Sequence, residues 1–158
     1  MKKTCLLISI VLVFCGLMFS GIISAEEGKW TRKADMPIAI AYHSVSEVNG
    51  KIYVVGGARE DFHINIKPLT TVYVYDPNTD SWTRKADMPT PRLGHQSGVV
   101  NGEIYVIGGW TNGVFTSAVE VYDPIIDKWE KKTNIPTTRS GFAIGAVNGK
   151  IYAIGGHS

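Results

Sequence analysis

Cysteine stops early in this chain: Cys5 and Cys15 are the only two among 158 residues. A domain starting after them has no disulfide available, even in a compartment that permits one, so packing alone must hold it. Charge of one sign is also missing. Setting aside Lys2 and Lys3, basic and acidic residues balance at 14 each, with no basic stripe and no run of like charge. Nucleic-acid binding needs a cationic footprint, and this composition disfavours it. Long apolar runs are absent too, with one exception at the start.

That exception extends from Leu6 to Ile23, after Lys2 and Lys3 and before the small-residue site "ISA" at Ile23–Ala25. Positive start, apolar stretch and small-residue site make a secretory signal peptide over residues 1–25, with cleavage expected after Ala25. Ile23 is bulkier than such a site prefers. An anchor retained through residues 6–23 is the alternative, because about 18 apolar residues is the lower limit for spanning a bilayer. The expected address is therefore exported, secreted or periplasmic, with no other membrane association.

The remaining residues, 26–158, are built on repetition. "WTRKADMP" occupies Trp30–Pro37 and returns unchanged at Trp82–Pro89, and "WEKKTNIP" follows at Trp129–Pro136. A diglycine arrives 26 residues after each Trp, at Gly56-Gly57, Gly108-Gly109 and Gly155-Gly156. Tyr75 and Tyr122 each stand seven residues before the next Trp. Only the stretch from diglycine to Tyr varies, 18 residues in one repeat and 13 in the next. One loop absorbs all the length difference.

Each landmark has a local meaning. Asn-Gly at 49–50, 101–102 and 148–149 supplies the positive-φ pair of a two-residue hairpin turn. The strand that follows, such as "IYVIGG", is apolar on both faces, as a strand covered on both sides should be. The diglycine ends it where no side chain can obstruct an adjoining sheet. "VYVYDPNTDSW" reads as a second hairpin turning at Asp76-Pro77. Four short antiparallel strands per repeat, with two apolar faces to bury, must stack on copies of themselves, which predicts a β-propeller.

Diglycine, Tyr and Trp in this register resemble the kelch repeat, on "GKIYVVGG" and "YDPNTDSW" above all, across Trp30 to Ser158. The resemblance implies an all-β ring of radial four-stranded blades. The residues supply about three blades' worth: two whole ones near 43–86 and 94–133, an outer strand at Lys29–Ala34, and an inner hairpin at Gly141–Gly156. The ring is incomplete, and its remaining blades are expected from a longer chain or a second copy. Trp30, Trp82, Trp129, Tyr75 and Tyr122 are expected in the core.

Proteins of this kind mostly bind with the face carrying the loops between blades and after the diglycines. Candidates there are Arg92 and Arg139, which share a repeat position held by Ile40 in the first copy, with Arg59, Trp110 and Phe115. Guanidinium groups suit carboxylates of acidic sugars or peptides. The competing reading, preferred for Arg92 and Arg139, is that each ties blades together through backbone carbonyls. Trp110 and Phe115 stack on a ligand or cap a blade end. His43 and His95 share another position, with Phe142 third, and read as packed rings. A metal site needs three or four converging ligands, and nothing in the sequence gathers the four histidines, so no metal or cofactor is expected.

The favoured function is an exported binding module presenting these loops to a protein or glycan, with no catalytic residue assigned. The alternative is part of a sugar-active enzyme, since the family resembled also includes copper radical oxidases and a sialic-acid epimerase. The oxidase chemistry implied by that resemblance needs a cysteine cross-linked to tyrosine, and residues 26–158 have none.

Overall fold

In the computed structural model the backbone is described for residues 21–26 and the full chain for 28–59 and 66–158. The leader expected over residues 1–25 thus falls mostly outside the described residues. Its last five positions open the first strand.

The strands, in order, are β1 (Gly21–Glu26), β2 (Lys29–Asp35), β3 (Ser44–Val48), β4 (Lys51–Val55), β5 (Val72–Asp76), β6 (Ser81–Lys85), β7 (Gln96–Val100), β8 (Glu103–Ile107), β9 (Trp110–Thr111), β10 (Val114–Phe115), β11 (Val119–Asp123), β12 (Lys128–Lys132), β13 (Ala143–Val147) and β14 (Lys150–Ile154). Two four-stranded antiparallel sheets, β3-β4-β5-β6 and β7-β8-β11-β12, are the whole blades. The hairpins β1-β2 and β13-β14 stand at either end, and β9-β10 is a small hairpin within the loop after the second diglycine. The fold is all-β, and the ring is open.

Turn chemistry sets the register. Asn49, Asn101 and Asn148 have φ near 50° and the following glycines lie between 70° and 80°, the pair of left-handed residues that matches strand twist in a two-residue hairpin. Register then places Tyr75 opposite Trp82 and Tyr122 opposite Trp129.

The blades pack face to face. Between the two whole blades lie Val48, Tyr53, Val55, Val72, Val74, Met88, Ile104, Val106 and Tyr122, all buried. Between the second blade and β13-β14 lie Ile107, Val119 and Phe142, with Ile144 and Ile151 partly covered. Inner strands β3, β7 and β13 run side by side around the axis, close enough for Ser46 Oγ and Ser97 Oγ to share a hydrogen bond of 2.8 Å.

The diglycines work in two directions. A Cβ on Gly56 would come within 2.7 Å of His95 Cε1 in the next blade, and one on Gly57 within 2.5 Å of the Ala41 carbonyl in its own. Gly57 N–H also donates to the Arg92 carbonyl at 2.8 Å, and Gly109 N–H to that of Arg139 at 2.7 Å. The pair is therefore a seam joining two blades.

Two expectations need correction. Trp30 is 71% exposed, not core. Trp82 and Trp129 are half-buried, while Tyr75 and Tyr122 are enclosed as expected. The outer strand β2 is also not alone: it pairs with β1, Ala25 opposite Trp30.

Candidate functional site: the inter-blade loop face

The repeat signature forms a latch between blades. Trp82 Nε1 donates to the Ala34 carbonyl at 3.0 Å, and Ala34 N–H donates to Asp80 Oδ1 at 2.9 Å. Tyr75 OH donates to the same Asp80 oxygen at 2.7 Å. The set recurs one blade on: Trp129 to the Ala86 carbonyl, Ala86 N–H to Asp127, Tyr122 OH to Asp127. These donors hold both aspartates below the ordinary carboxylate range, Asp80 chiefly through Ala34 N–H and Asp127 chiefly through Tyr122. Burial first, then the aspartate, pushes Tyr75 up to about 12 and Tyr122 higher still. Sequence reasoning assigned the Trp and Tyr to the core and overlooked Asp80 and Asp127. The available signal was an Asp two residues before Trp in both copies.

Arg92 is corrected as a ligand-binding candidate. Its side chain has no exposure, and Nη1 donates to the Ala118 carbonyl at 2.8 Å and the Gly108 carbonyl at 3.2 Å. Nη2 lies 2.7 Å from Glu120 Oε2, an ion pair by distance although the N–H direction is not aligned for a hydrogen bond. Thr90 Oγ1 donates to the other Glu120 oxygen at 2.7 Å. Burial works against the Arg92 charge, and Glu120 opposes that effect. A buried charge of this kind requires its partner. Glu120 is the member that the sequence reading missed.

Arg139 repeats the blade-tying role with less cover. Nη1 donates to the Gly155 carbonyl at 2.6 Å and Nε to Thr137 Oγ1 at 3.1 Å, and the residue stays partly exposed. Arg59 is exposed beside residues 60–65, which lie outside the described residues along with the rest of the expected loop composition. Trp110 is half-buried, bridged through its backbone to Leu93. Phe115 meets the His157 ring edge-on at 5.1 Å, a contact with the next repeat that matches the capping reading.

His95 is buried, with Nε2 3.1 Å from the Val55 carbonyl, and burial followed by the Arg92 charge holds its pKa down to about 3. Burial likewise lowers that of His43. Phe142 fills the matching position at 4% exposure. These are packed rings, and among the described residues no group of His, Cys, Asp and Glu could hold a metal ion.

One residue on this face breaks the repeat in both backbone and side chain. Tyr42, Gly94 and Gly141 share a position, with φ of 56°, 61° and 62°. Gly94 N–H donates to the Tyr42 carbonyl and Gly141 N–H to the Gly94 carbonyl, so all three line one ring of loops around the axis. A left-handed conformation suits glycine and strains a bulky residue. Yet Tyr42 carries its phenol there, 58% exposed. Neither the sequence repeat nor composition singled it out.

A family model described as the KLHDC2/KLHL20/DRC7 Kelch-repeats domain matches residues 15–156. Beta-scruin of Limulus polyphemus is 41% identical over 91 residues, covering 56% of this chain and 9% of that protein. An F-box/kelch-repeat protein of Arabidopsis thaliana is 40% identical over 83 residues, covering 52% and 21%. Kelch-like protein 15 of Danio rerio is 39% identical over 95 residues, covering 57% and 15%. The chain thus matches between 9% and 21% of the length of each of these relatives. The solved structure of YjhT superposes with a TM-score of 0.77 at 20% identity, over 85% of this chain and 50% of that one. The family model spans most of the chain: the chain belongs to the kelch-repeat family.

Proposed function

We propose that this chain is a protein-binding propeller segment whose contact face is the ring of inter-blade loops around Tyr42. Backbone strain in a non-glycine residue costs of order 1–3 kcal/mol and concentrates at functional sites. Glycine serves at the same position in the other two repeats, so architecture alone does not ask for a tyrosine there. An exposed aromatic with few rotatable bonds is a good anchor for a partner side chain. Arg139 and Arg59, both accessible, add donors for acidic residues of the partner. Propeller modules of the kelch family typically serve protein interaction, which supports a protein ligand over a sugar.

The test is a displayed peptide library selected on the full chain and re-measured on Tyr42→Gly. The replacement suits the backbone, so the fold should hold or gain stability while selected peptides lose tenfold or more in affinity. Peptides that bind both chains equally would remove Tyr42 from the contact face.

We also propose that residues 1–25 direct export, on the order of positive start, apolar stretch and small-residue site. N-terminal sequencing reads the fate of the leader. A start at Glu26 means removal, and an intact Met1 in the membrane fraction means retention as an anchor.

A further inference from the structure

One hairpin turn, on the face opposite the inter-blade loops, carries residues that the repeat does not explain. The third strand of each whole blade runs from the loop face to a turn on the far side, at residues 76–81 and 123–128. Both turns share one backbone form. Asp76 Oδ1 accepts the Asn78 N–H at 2.9 Å, and Asp123 Oδ1 accepts that of Ile125 at 2.8 Å. Asp80 and Asp127 follow with φ of 47° and 54°. The sequences differ: Pro77, Asn78 and Thr79 in the first turn, Pro124, Ile125 and Ile126 in the second. Turns favour Asn, Asp, Ser and Gly, whose side chains bond the backbone or accept its conformation. Isoleucine offers neither, so the turn itself does not ask for it.

Ile125 is 87% exposed and Ile126 58%. Their place at the turn leaves them in water, since residues 77–80 are exposed as well although a whole blade follows them. A second departure from the repeat stands beside the isoleucines. In the first blade Lys51 Nζ lies 2.9 Å from Asp76 Oδ2, and the third repeat also has lysine there, Lys150. The second blade has Glu103, one step beyond the pairing of Ile104 with Tyr122, so register sets it against Asp123. Lys128 faces Asp123 on the other flank, where the first blade has Ser81. The flanks of the turn thus change from one carboxylate with one ammonium to two carboxylates with one ammonium.

We propose that the turn bearing Ile125 and Ile126 is a second contact site, which takes a protein partner presenting an apolar surface bordered by lysine or arginine. Removing the two isoleucine side chains from water supplies the drive. The surplus carboxylate beside them selects a cationic border and speeds the encounter. That surplus also disfavours an anionic membrane surface, which attracts basic segments. Tyr42 lies on the loop face and this turn on the opposite one, so the two sites can be filled together. The site stands on the comparison between the two whole blades and does not depend on the reading of Tyr42.

The test grafts the first blade's own residues onto the second. Ile125→Asn with Ile126→Thr copies a turn that the fold already uses, so the melting temperature should hold. Glu103→Lys copies Lys51. The probe is a displayed library of amphipathic helical peptides with one leucine face, its borders randomised among Lys, Arg, Asp and Glu, selected on the full chain. Peptides with basic borders should dominate, and should lose about tenfold or more in affinity on the chain with the grafted turn. On Glu103→Lys they should associate roughly threefold more slowly, with a weaker dependence on salt. On Tyr42→Gly they should bind unchanged, which keeps this result apart from that of the loop face. Peptides without a basic bias, or bound equally by the grafted chain, overturn the site. A markedly lower melting temperature for the graft makes the isoleucines structural and overturns it too. So does capture of the full chain, but not the graft, by vesicles of phosphatidylcholine and phosphatidylglycerol, which would assign the turn to lipid.

Discussion

The guanidinium of Arg92 lies 2.7 Å from the carboxylate of Glu120, and neither side chain is exposed beyond 1%. In the preceding blade the matching positions hold Ile40 and Tyr73, with Ile38 where Thr90 stands. The same site is thus built once from polar and once from apolar residues. Glu120→Ala should cost about 3–5 kcal/mol, because it strands a buried cation. The pair Arg92→Ile with Glu120→Tyr should recover most of that loss. Urea melts of the three chains check it, and equal losses in the single and double variants would contradict the pairing.

His95 gives the fold a sensitivity to acid. Its pKa falls from the ordinary 6.5 to about 3, through burial and then the charges of Arg92 and His43. Between those values the unfolded chain binds a proton that the folded chain refuses, so stability declines as pH falls from about 6.5 toward 3. Each unit is worth about 1.4 kcal/mol at most. His95→Phe copies Phe142 and should flatten that decline, measured by melting temperature at pH 7 and pH 4.5. An unchanged slope would assign the acid sensitivity to other groups.

The Trp82 latch divides into a ring and a hydrogen bond. Trp82→Phe keeps most of the ring and frees the Ala34 carbonyl, for an expected loss of about 1 kcal/mol. Trp82→Ala removes the contact with Tyr75 as well, 5.2 Å between centroids, and should cost about 3 kcal/mol. A loss below about 1 kcal/mol for the alanine chain would mean that the ring contributes little between blades.

Gly109→Ala tests the seam. Its φ of 99° is joined by contacts of 2.8 Å from a new Cβ to both His95 Cβ and the Leu93 carbonyl. Strain and overpacking together predict a loss of roughly 2–4 kcal/mol. Gly102→Ala, with φ of 80° and nothing within 4 Å of its Cβ, should lose only about 1–2 kcal/mol from conformation. Equal losses at the two positions would remove the seam argument.

Much of this architecture is legible in the sequence because local chemistry repeats. Asn-Gly sets hairpin turns, apolar strands set burial, and a Trp, a diglycine and a Tyr at fixed spacing set the blade. Such features act over a few residues, so their order along the chain specifies the sheets directly. The strand β1 escaped notice for the converse reason. It has Ala25 opposite its Trp where the other blades have Tyr.

The candidate site was legible only in outline. Arg92 and Arg139 look identical in sequence, both preceding an inner strand by the same distance, yet one is sealed and the other partly open. The difference lies in Glu120, 28 residues away in sequence, whose carboxylate meets Arg92 only after β11 has paired with β8. Tyr42 was hidden likewise, since a left-handed φ at a non-glycine residue has no sequence signature of its own. The sequence by itself determined the blade, its turns and its repetition, because those depend on neighbours along the chain. Tertiary structure decided which repeated residues became scaffold and which stayed exposed, because burial and charge pairing depend on neighbours that only stacked blades bring together.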